Sequence, residues 1–325
     1  LWNPDLDEDI VMNEFMNGYY EEAGPFVQQY VDKIHEAIQE DPDFFLFLYG
    51  DPAQAFNSFL KPSLLQQYNQ FFNQAEEAVK DKPHVLQKVK KARLSTDYAM
   101  LEMARNGSSE EFQLLENGAI SEKTQMRLQR FKNTCENAGI TLMNEMGYTV
   151  DEYLDLYEKN LERAQMPNLA LHKEVTLLTQ PKKYADEDPQ TLTDGALGGA
   201  NFYADWLGFE RNNLEAVIDL ESPETIDTIS VAFLQVTNHI VFFPENMTCY
   251  YSNDRESFKK LETVPCPSPL SPESKRNSIE YFTSTFQPVE ARYIKIVAKN
   301  RNEAPVWHNA AGSPAWIFAD EVIVN

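Results

Sequence analysis

Five histidines, His35, His84, His172, His239 and His308, are scattered through 325 residues. No two have the HExxH spacing that sets a pair of imidazoles on one helix face to hold a catalytic zinc. With 51 Asp and Glu in the chain, spacing alone cannot single out two carboxylates as the acid and nucleophile of a hydrolase. Glu14, Asp32, Glu36 and Glu145 fall on helical periods, where solvated faces and caps use such residues. A Gly-x-Ser-x-Gly elbow and a phosphate-binding glycine loop are both missing. Cys135, Cys249 and Cys266 are too few for a disulfide framework or a Cys-rich zinc site and read as buried thiols, with Cys249 and Cys266 the pair able to bridge. Catalytic chemistry therefore has no support of its own here, and attention passes to binding.

The elements that carry these residues divide in two. From Asp5 to about Gln165 apolar residues recur at helical spacing, as in Phe26, Val27, Tyr30, Val31, Ile34 and Ile38, and again from Leu64 to Val79. Pro25, Pro62 and Pro83 stand where a helix start tolerates a missing N–H, and Asn106-Gly107 and Ala138-Gly139 read as helix ends. Five to seven helices are expected. The run Phe44 to Tyr49 fits either a buried strand or an apolar helical turn. After Pro167 the grammar changes to short β-branched runs: Ala216 to Leu220, Ile226 to Phe233, Thr248 to Ser252 and Tyr293 to Ala298. The expected fold class is therefore a multidomain α plus β chain. Residues 1–168 form a helical domain and residues 169–325 an all-β sandwich.

Net charge is −23, and both halves carry more acids than bases. Nucleic acid needs a basic footprint, so it drops out as a partner, and anionic membrane surfaces are disfavoured for the same reason. No apolar run reaches the ~18 residues of a membrane span. The chain opens with Leu1-Trp2-Asn3-Pro4-Asp5, without an initiator Met or a leader. This beginning suggests that something lies upstream.

Read in order, Leu192-Thr193-Asp194-Gly195, Trp206-Leu207-Gly208-Phe209, Val217-Ile218-Asp219-Leu220, Ile229 to Phe233, Tyr250 to Asp254, Ala291 to Ile296 and Ala319-Asp320-Glu321-Val322 resemble the discoidin-like, coagulation factor 5/8 type C family. The resemblance covers about 130 residues. That family includes many carbohydrate-binding modules of galactose-binding-like jelly-roll fold, some at the ends of exported bacterial glycosidases. The phrases Leu1 to Asp5, Asn13-Glu14-Phe15 and Gly18-Tyr19-Tyr20 are similar to the helical region that follows the barrel in α-glucuronidase-like hydrolases. If so, the catalytic (β/α)8 barrel lies upstream.

The resemblance implies where ligands sit. A structural calcium in this family often bridges the Asp-Gly loop and the C-terminal strand, at the positions matched by Asp194 and Glu321. Calcium takes six to eight oxygens, so loop carbonyls from Leu192 to Gly199 must complete the shell. This chain reads Ala196-Leu197-Gly198-Gly199 where many relatives carry another acid, and the alternative is that Asp194 caps its own turn. Sugar recognition needs an aromatic face and polar groups that reach hydroxyls. Candidates in expected loops are Phe202, Tyr203, Trp206, Asn238, His239, Phe242, Arg255, Trp307 and His308, with Trp307-His308-Asn309 the first choice; Trp316 sits in an apolar strand and reads as core. Each aromatic has core packing as its alternative, and Asn238-His239 equally fits a hairpin turn.

The expected function is the non-catalytic, glycan-binding and supporting region of a secreted, periplasmic or cell-surface bacterial glycoside hydrolase. Its partners are a polysaccharide and an upstream catalytic domain of the same protein. Two rivals stay open: the helical domain contributes an acidic face, Asp5 to Glu14, to a glycosidase site, or the sandwich is a structural packing module.

Overall fold

A computed structural model describes residues 6–45, 47–48, 50–145, 147–182 and 187–325. The phrase Leu1 to Asp5 lies outside the described residues, as do Leu46 and Tyr49 of the apolar run. The chain divides into two compact units, a helical one, Leu1–Ala104 with Ser108–Tyr157, and a β one, Arg105–Gly107 with Glu158–Asn325.

The helical unit holds α1 (Glu8–Tyr20), α2 (Gly24–Gln39), α3 (Pro62–Ala78), most of α4 (Pro83–Asn106), α5 (Glu122–Ala138) and the start of α6 (Val150–Ala164). A two-residue hairpin, β1 (Leu115–Glu116) with β2 (Ala119–Ile120), precedes α5. The prolines start helices because their missing N–H is an orphan there in any case: Pro25, Pro62 and Pro83 all occupy first-turn positions. Gly139 ends α5 in the left-handed region at φ 65°, and the Ile140 N–H reaches back to the Cys135 carbonyl at 2.9 Å. Val27, Phe72, Ala75, Val85 and Val89 pack a common core from α2, α3 and α4. Phe45 and Leu48 of the apolar run are both 81% exposed and lie outside regular structure.

The β unit is an antiparallel sandwich built on two long strands, β5 (Leu214–Val236) and β8 (Asn277–Ala298). They pair along their whole length, and register shifts at Asp219/Glu224 and Ile226/Thr228 let them bend from one layer into the other. The first half of β5 pairs with β3 (Glu174–Leu177), and the second half of β8 pairs with β6 (Asn246–Ser252), which carries β7 (Lys259–Pro265). The second half of β5 pairs with β9 (Trp316–Val324), which carries β4 (Leu207–Glu210). Ile229, Val231 and Phe233 point into the core between the layers. Ala232, Leu234 and Val236 point to the opposite face, where Phe202, Trp206 and Phe318 cover them. The unit reaches upstream of residue 169 because Arg105 and Arg163, both buried, form hydrogen bonds within it. All three cysteines are free thiols, and burial raises the Cys249 pKa to about 12.

Candidate functional site

Four connections meet at the end of the sandwich where β5 stops and β9 begins: the loop before β4, the turn after β5, the entry to β8 and the loop between β8 and β9. The turn is a single 3-10 turn, Thr237–His239, closed by Ile240 at φ 62°. A β-branched residue in the left-handed region is strained. The turn is held by bonds on both sides: the Thr237 N–H donates to the Arg276 carbonyl at 2.9 Å, and the Thr237 carbonyl accepts from the Ile240 N–H at 3.1 Å and from His308 Nε2 at 2.8 Å.

On this frame stand polar and aromatic groups of the sandwich end. His239 is exposed and lies edge-on to Phe202 at 5.2 Å. Partial burial, and then the neighbouring Arg276 cation, lower the His239 pKa from its usual value, so the ring is neutral at pH 7. Arg276 is exposed at the entry to β8, and Asn277 beside it donates to the Ala200 carbonyl at 3.3 Å. Asn238 is half-buried, and its side-chain oxygen has no hydrogen-bond partner among the described residues. From the last loop Trp307 is 40% exposed beside Val306 at 94%. Tyr203 is half-buried against Phe202, with ring centroids 4.7 Å apart. The rim thus combines aromatic surface with amide, imidazole and guanidinium groups, the mixture that reads hydroxyls on an apolar ring.

Four residues expected as ligand contacts, Trp206, His308, Arg255 and Phe242, are buried or engaged within the protein. Trp206 is 0% exposed and donates its indole N–H to the Gly199 carbonyl at 3.2 Å, so it has no face to offer. His308 uses both nitrogens: Nε2 bonds Thr237, and Nδ1 accepts from the Ala310 N–H at 3.1 Å. It positions the turn. Arg255 donates to Thr176 Oγ1 at 2.8 Å beside the bend of the sandwich, away from the end where β5 stops. Phe242 is 1% exposed and packs edge-on to His308 at 5.7 Å. Trp316 is half-buried and stacks on Phe318 at 5.6 Å. Arg276 was not singled out from sequence, and the only available signal was its position just before a strand, after a Pro- and Ser-rich stretch.

The loop from Asp194 to Asp205 is tied down by side chains from distant sequence. Asp194 Oδ1 accepts from the Ala196 N–H at 2.8 Å, Glu321 Oε2 from the Gly195 N–H at 3.0 Å, and Asp320 Oδ2 from the Gly198 N–H at 2.6 Å. Glu321 Oε1 accepts from Asn168 at 2.9 Å. The loop carbonyls are also engaged, Leu197 by Arg105 and Gly198 by Asn160. Arg105 forms a buried ion pair with Asp205 at 2.9 Å.

Asp194, Asp320 and Glu321 each accept from a backbone N–H through one oxygen, while Asp320 Oδ1 is buried with no hydrogen-bond partner among the described residues. Burial, and then the neighbouring acids Asp205 and Asp194, push the Asp320 pKa up to about 8, against the backbone N–H bonds from Gly198 and Glu321 that lower it. Burial and then Asp320 push that of Glu321 up to about 9.

In the helical unit the acids behave as caps and solvated faces. Asp7 caps α1 through the Asp9 and Ile10 N–H groups, Asp32 accepts from Gln28, Glu36 pairs with Lys33, and Glu14 is exposed.

Residues 177–316 match the family model of the F5/8 type C domain. No curated protein matches the chain. Among solved structures the chain is similar to chitosan-binding module 1 from a chitosanase/glucanase of Paenibacillus sp. IK-5, at 16% identity, covering 49% of this chain and 99% of that one with TM-score 0.32. It is also similar to CBM32-1 from a family 31 glycoside hydrolase of Clostridium perfringens, at 18% identity, with 49% and 99% covered and TM-score 0.32. A third is a CBM32-4 module from Clostridium perfringens in complex with GlcNAc-α-1,4-galactose, at 13% identity, with 49% and 94% covered and TM-score 0.32.

Proposed function

We propose that the F5/8 type C domain formed by residues 177–316 is a carbohydrate-binding module, and that its site is the rim of Asn238, His239, Arg276 and Trp307. The observation that carries this reading is the meeting of these four residues, from three separate connections, around a strained turn that His308 and the Arg276 carbonyl hold in place. A neutral imidazole, a guanidinium and an amide supply directional bonds to hydroxyls, and the indole supplies the apolar face. The remaining parts of the reading are that the parent protein is a secreted or cell-surface glycoside hydrolase with its catalytic domain upstream, and that the helical unit supports that neighbour. Exposed Ile10, Phe15 and Tyr19 on α1 favour a packing partner for that unit.

A glycan array probed with the whole chain and with the Trp307→Ala and Arg276→Ala variants tests the proposal. Glycan retention that falls about tenfold or more in each variant supports it. Absence of binding across a broad array, or binding indifferent to both substitutions, overturns it in favour of a packing role for the sandwich.

A further inference from the structure

A groove of about 310 Å3 lies on the helical unit, between α4 and α5. It is at the small end of the range of ligand sites, room for about one sugar ring. Its wall is one face of α5: Met126, Arg130, Asn133 and Asn137 follow at spacings of four, three and four, with Gln129 beside Arg130, a row about 16 Å long. Lys90 closes it from α4. In a chain of net charge −23, no carboxylate among the described residues lines this groove.

The charge beneath it is unbalanced. Arg130 donates Nε to Asp97 Oδ2 at 2.8 Å and Nη2 to Asp97 Oδ1, which leaves Nη1. Arg93, 1% exposed, turns to Glu76 at 2.9 Å and also approaches Asp97 at 3.6 Å. Arg127 stands near both arginines, and burial, the largest influence on it, lowers its pKa. Three guanidinium groups thus share the carboxylates of Asp97 and Glu76, and Lys90 has no ion-pair partner among the described residues. Of these cations, Lys90 and Arg130 line the groove.

The amide row adds directional polarity. Gln129 donates to Asn133 Oδ1 at 2.8 Å, which leaves the Gln129 carbonyl and the Asn133 amino group for a ligand. Met126, 66% exposed, offers an apolar patch at one end.

We infer that this groove is a second ligand site, separate from the sandwich rim, and that it takes a sugar ring bearing a carboxylate, a uronic acid residue. The carboxylate meets Lys90 and the open edge of Arg130, the hydroxyls meet the amides of α5, and a C–H face rests on Met126. An inorganic anion would satisfy the cations and leave the amide row unused. This site does not depend on the sandwich reading.

The test is an NMR titration of the whole chain in the Trp307→Ala background, which removes the rim site. D-glucuronate and D-galacturonate are compared with glucose, galactose and sodium sulfate. The expected result is saturable shifts of Asn133, Asn137 and Gln129 side-chain amides with a uronate, absent with the neutral sugars and with sulfate. Lys90→Glu weakens binding by about tenfold or more, as loss of one charge-assisted bond implies. Asn133→Ala weakens it with no change in charge. Both positions are at least partly exposed, so circular dichroism should show an intact fold. Shifts that also appear with glucose or sulfate, that survive Lys90→Glu, or that fall outside α4 and α5 overturn the inference.

Discussion

Gly198→Ala is the sharpest test of how the site loop is held. A Cβ at this position would lie 2.3 Å from both Cε2 and Cζ2 of Trp206, where ordinary contact begins at 3.4 Å, so ring or loop must move by about 1 Å. The ring has no room, since it is 0% exposed among Phe202, Leu234 and Phe318. If the loop moves instead, the 2.6 Å bond from Gly198 N–H to Asp320 and the 3.2 Å bond from Trp206 to the Gly199 carbonyl are disturbed. Overpacking costs about 1–3 kcal/mol, and a buried polar group left unpaired about 1–3 kcal/mol more. The expected destabilisation is therefore about 2–6 kcal/mol, or a urea midpoint lower by about 1–2 M. Tryptophan fluorescence follows it well, because three of the four tryptophans, Trp206, Trp307 and Trp316, lie in the sandwich. Glycan affinity should fall with it, since Phe202 of the same loop supports His239. A midpoint within about 0.3 M of the parent, with binding intact, refutes the argument that a rigid indole fixes the loop.

Asp205→Asn keeps a residue type that tolerates the φ of 61° but strips Arg105 of its buried counter-charge; a loss of about 3 kcal/mol is expected by urea unfolding. Gly18→Ala in α1 is the opposite case: nothing lies within 4 Å of the added Cβ, and helix propensity should stabilise the helical unit by up to about 1 kcal/mol, read by circular dichroism. Asp320 and Glu321 have folded pKa values raised to about 8 and about 9 from 3.8 and 4.5. They hold protons on folding that the unfolded chain gives up, so their stabilisation is complete below the unfolded values and is lost as pH rises through 8 and 9. Tm should therefore decline between pH 6 and pH 10, and an alkaline Tm equal to the neutral one contradicts this. Calcium held by Asp194 and Glu321, as expected from the sequence, would raise Tm and a chelator lower it; a Tm moved by less than about 1 °C overturns that expectation.

The helices were legible because their boundaries are set by local chemistry: Pro25, Pro62 and Pro83 at the starts and Gly139 at an end. The sandwich was legible as a series of short strands, but its two long strands were not. Ala216 to Leu220 and Ile226 to Phe233 belong to one strand, and Glu221, Ser222 and Pro223 between them are the bend at a register shift, which reads as a turn in sequence. Of the site, Asn238, His239, Tyr203 and Trp307 could be named from residue type in a loop. Burial is decided by tertiary packing, so Trp206 and Trp307 look alike as letters and differ in exposure, 0% against 40%. Arg276 gave almost no signal, because its role comes from the turn laid against it from another part of the chain.

The tethers of the site loop have a consequence for when the module becomes competent. Gly198 is latched by Asp320, 122 residues onward, and Gly195 by Glu321, 126 residues onward, while Asp205 needs Arg105, 100 residues earlier. Such contacts are slow to form, and on a ribosome the last strand emerges after everything it must close. A nascent chain ending before residue 320 holds every rim residue and lacks the carboxylates that latch the loop. The loop should then be fixed only once β9 is in place, so that any affinity resting on it comes with that strand and not with the synthesis of the rim itself.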